Sequence, residues 1–123
     1  MLTDTERRAA IQAGLAQIDL NGLNRLHEYI IAGGKLLFDG DAADETSLCP
    51  MTAALPTEGI ELVRSGKNQF NCLAREWTQA IPSFCINPEI KLGGFRSYQI
   101  LYAEALRESD TAEVLDIVEA LRR

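Results

Sequence analysis

Four carboxylates, Asp39, Asp41, Asp44 and Glu45, fall within seven positions, and Cys49-Pro50 follows them closely. Oxygen donors this dense suit a hard divalent cation. A cysteine just ahead of a proline suits the start of a helix, where free backbone N–H groups favour the thiolate. Spacing tests both ideas. An EF-hand loop needs oxygen ligands at positions 1, 3 and 5, Gly at 6 and a bidentate Glu at 12. Counted from Asp39, position 5 is Ala43, position 6 is Asp44 and position 12 is Pro50, so three of the five requirements fail. The four carboxylates are therefore candidates only for an irregular cation or ligand site, and no cofactor or metal is assigned. A solvated acidic loop has the same composition and needs no ion.

Cys49 is a candidate reactive thiol with two features against it. The helix that Pro50 starts runs only as far as Pro56, so its dipole is small. The carboxylates upstream also oppose a second negative charge. Cys49, Cys72 and Cys85 show no C-x-x-C spacing, and read as buried thiols in a reducing compartment. His27 is the one histidine. It sits at the edge of a helical apolar stripe formed by Leu23, Ile30 and Ile31. Alone it cannot build a His-rich zinc site, and a packed or hydrogen-bonded histidine is the default reading. Its other role would be as partner to Cys49 or the acidic loop in an enzyme or ligand site. Gly33-Gly34-Lys35 fails as a phosphate loop, because Leu36 stands where Ser or Thr is needed and no Gly stands at position 29.

The charge is unevenly placed. Net charge is −6, and six of the 18 acids (Asp39, Asp41, Asp44, Glu45, Glu58, Glu61) lie between Leu36 and Val63 with no Lys or Arg among them. The other 12 acids are matched by the 12 bases elsewhere. Nucleic-acid binding needs clustered Lys and Arg to displace counterions, so it is excluded, including a helix-turn-helix reading of residues 57–77. A basic partner at residues 36–63 is compatible.

These residues must be positioned by helices. Thr3 and Glu6 form a capping box ahead of Ile11, Leu15 and Ile18. Leu20, Leu23, Leu26 and Ile30 carry a second helix if Asn21-Gly22 does not break the chain, and Gly33-Gly34 ends it. Residues 35–38 and 60–63 are ambiguous between helix and extended chain. Pro50 opens a short helix, 57–66 forms another, and Phe70, Leu73, Ala74, Trp77 and Ile81 mark a third over 68–81. Asn87-Pro88-Glu89 starts a short helix. A long helix runs from about Phe95 to Glu108 with Tyr98, Leu101, Tyr102, Ala105 and Leu106 inward. Ser109 or Asp110 caps a last helix bearing Val114, Leu115, Val118 and Leu121, and Asp110 with Glu113 resembles a capping box.

The expectation is an all-α fold: one domain, a bundle of five to seven helices with short connections. No run approaches a membrane span and the N-terminus lacks a signal-peptide pattern, so the chain reads as cytoplasmic. The aromatics sit at helical spacing and read as core. The irregular, apolar stretch 82–98 is the exception, with Phe84, Phe95 and Tyr98 as candidate groove or partner-facing residues. With no paired catalytic groups or cofactor fingerprint, the sequence reads as a non-enzymatic interaction or regulatory module that binds a protein partner or itself. The alternative is a small-ligand or divalent-metal protein, or an enzyme, built on residues 39–45 with His27 or Cys49.

Overall fold

The computed structural model describes residues 1–39, 41–65 and 95–123, with backbone alone for 95–100. The expected helices at 68–81 and 87–92, and Phe84, Cys72 and Cys85, lie outside the described residues. So do the side chains of Phe95 and Tyr98.

The described residues form six helices and one two-stranded sheet, in the order α1 (Asp4–Leu15), α2 (Leu20–Ile31), β1 (Lys35–Leu36), β2 (Ser47–Leu48), α3 (Pro50–Ala53), α4 (Thr57–Ser65), α5 (Phe95–Arg107) and α6 (Thr111–Leu121). The fold is all-α apart from this minor sheet. Local chemistry sets the helix ends. Thr3 and Glu6 exchange both hydrogen bonds of the capping box at α1. Asp110 accepts from Glu113 N–H at the start of α6. The α2 helix runs through Asn21-Gly22 because Asp19 caps it, accepting from Gly22 N–H at 2.6 Å. Its far end is a Schellman motif: Gly34 N–H bonds to Tyr29 O, Gly33 N–H bonds to Ile30 O, and Gly33 takes φ +88°.

Of the two ambiguous stretches, 35–36 is extended and 60–63 is helical. Lys35 pairs with Ser47 and Leu36 with Leu48 in parallel register. On the other side of β2, Ala43 bridges Leu48 in antiparallel sense. The acidic stretch is thus more tethered than a plain solvated loop. Ala42, Leu48 and Cys49 within it are buried, and Cys49 N–H donates to Ala42 O at 2.9 Å.

The core is formed by Ile11, Leu15, Leu26, Leu55, Leu106, Ile117 and Val118, with Tyr102 beneath α1. The α1 helix packs chiefly on α5 and also on α6, while α2 packs on α6 and α3. Gly14 permits the closest approach. A Cβ there would lie 2.3 Å from the Tyr102 ring, so only a hydrogen at this position lets α1 rest on the buried aromatic face. One inward expectation fails: Leu101 is 49% exposed, whereas Tyr102, Ala105 and Leu106 are buried. Leu101 is rotated about 100° from Tyr102 around the helix and falls off the stripe centred on 102, 105 and 106.

Candidate functional site

The candidates separate into three places. The first is the acidic stretch. All six of its carboxylate residues, Asp39, Asp41, Asp44, Glu45, Glu58 and Glu61, are exposed. Two of them are bound to their own backbone. Asp39 Oδ1 accepts from Asp41 N–H at 3.0 Å, and Asp44 Oδ1 accepts from Thr46 and Ser47 N–H at 2.9 and 2.7 Å. These are Asx turns, which the Asp side chain makes because it is short enough to mimic a backbone carbonyl. The Thr46 N–H is the largest influence holding the Asp44 carboxyl below its usual range, and the Arg64 charge adds to it. Among the described residues, no three His, Cys, Asp or Glu side chains come together as a cation site.

The second place is Cys49. It is the N-cap of α3 with Pro50 at the first helical position, as the Cys-Pro order implies. Its sulfur accepts from Thr52 N–H at 3.3 Å and lies 3.1 Å from Thr52 Oγ1. Cys49 and Thr52 are both fully buried. The thiol therefore serves as a helix cap beneath the surface, and a reagent must wait for local opening to reach it. Thr52 was not singled out in the sequence, although a polar residue three positions after an N-cap is a readable signal.

The third place is His27, on α2. Its Nε2 lies 3.6 Å from Glu119 Oε1 on α6. One turn earlier, Asn24 Oδ1 accepts from Arg122 Nε–H at 2.8 Å. His27 is thereby engaged in the α2–α6 contact. Leu20 and Ile31, three turns apart on the same side of α2, are 60% and 62% exposed.

Sequence reasoning also passed over Tyr29. Its hydroxyl donates to Lys35 O at 2.6 Å, and its ring covers Gly34, where a Cβ would lie 2.5 Å away. Burial raises the phenol pKa. Tyr29 thus clamps β1 against the end of α2 and fixes the entry to the acidic stretch.

No described helix is long and apolar enough to cross a membrane. No protein-family model, curated protein or solved structure matches the chain.

Proposed function

We propose that the protein is a non-enzymatic interaction module, and that residues 36–63 are the face a basic protein partner contacts. The supporting observation is the exposure of all six acids on this stretch. On α4, Glu58, Glu61 and Leu62 stand outward together, with Leu62 43% exposed. A surface of net negative charge steers an opposite partner toward it and raises the rate of encounter. The backbone beneath Asp39, Asp41, Asp44 and Glu45 is anchored by β1, β2 and the Asx turns, which lowers the ordering cost on binding.

The test compares the wild-type chain with the combined variant D39N/D41N/E58Q/E61Q. Asp44 is left intact because its Oδ1 holds two N–H groups, while D39N keeps the Oδ1 that accepts from Asp41 N–H. Crosslinking in the native host should recover basic partners with the wild type and lose them with the variant. Moderate salt should weaken the same contacts. Recovery of the same partners by both proteins would show that this face is not the docking surface. A strictly monomeric wild type with no partner recovered would overturn the module reading itself.

A further inference from the structure

We draw no further inference here: the strongest candidate, the outward ridge of α2 that leaves Leu20 and Ile31 exposed on either side of the His27–Glu119 contact, is an apolar face with nothing in the structure to show what covers it.

Discussion

Both α1 and the 36–63 stretch are rich in charge, but the two regions use it in opposite ways. Arg7 on α1 grips Glu113 on α6 with two hydrogen bonds, Nε to Oε1 at 2.8 Å and Nη2 to Oε2 at 3.0 Å, and Ser109 Oγ donates to the same carboxylate. Arg8 pairs with Asp116, and Arg7 also reaches Asp4. Apart from the local Asp4 contact, these charges fasten distant parts of the chain to one another. In the acidic stretch, the carboxylates with described hydrogen bonds, Asp39 and Asp44, bond within three residues of themselves. The lesson is that charge at the helical end is committed to tertiary structure, while charge in the middle shapes short turns and otherwise faces water.

The largest expected break lies beneath the helical end. Leu15→Ala removes a fully buried side chain and should cost about 2–5 kcal/mol in urea unfolding. Gly14→Ala comes next. Its new methyl meets the Tyr102 ring, and the overpacking should cost about 1–3 kcal/mol. A melting temperature equal to wild type would show that α1 can shift off α5 freely.

The Arg7–Glu113 pair gives a smaller, pH-dependent effect. The Arg7 guanidinium, bonded to it twice, holds the Glu113 carboxyl below its ordinary value of 4.5. Its contribution is therefore present above that value and is lost as pH falls through the lower folded-state value. Glu113→Gln should lower the melting temperature at pH 7, and the difference from wild type should close under acid. In an Arg7→Ala background the same substitution should matter less, which a double-mutant cycle measures. Equal effects in both backgrounds would mean the pair contributes no coupling.

The smallest expected effect belongs to the acidic stretch. D39N/D41N/E58Q/E61Q should leave the melting temperature unchanged or slightly raised, because it relieves repulsion among like charges. Added salt should shift the wild type more than the variant. A marked loss of stability in this variant would show that these acids hold the fold, and would erase the contrast between the two regions. Titration with Ca²⁺, Mg²⁺, Mn²⁺ or Zn²⁺ sharpens the same contrast. A site filled at 100 times its dissociation constant would add about 2.7 kcal/mol, and no such shift is expected.

How much of this was legible in the sequence depended on range. The capping box at Thr3 and Glu6, the Cys49-Pro50 helix start, the Gly33-Gly34 stop and the Asp110 cap are all written within four residues, and each stands where expected. Asp19 was missed because the Asn21-Gly22 pair just after it is a strong turn signal, which the cap and the apolar spacing of α2 override. The β1–β2 pairing could not be read, since two-residue strands have no period and their partners are twelve positions apart. The Arg7–Glu113 bond joins residues 106 positions apart, and no local pattern announces it. Among the site candidates, the exposure of the acids follows from composition. Cys49 is buried, as its residue type implies, but the fold-back of residues 42–49 that covers it is not written in composition.

That 106-residue separation also sets a timetable for synthesis. The α1 helix leaves the ribosome early, but its main partners, α5 and α6, follow at the far end of the described sequence. At about 5–20 residues per second, the gap lasts roughly 5–20 seconds. During it, the side of α1 bearing Ile11, Gly14 and Leu15 waits for the described helices that it packs on most. The described contacts that cover this side of α1 can form in full only after the last helix arrives.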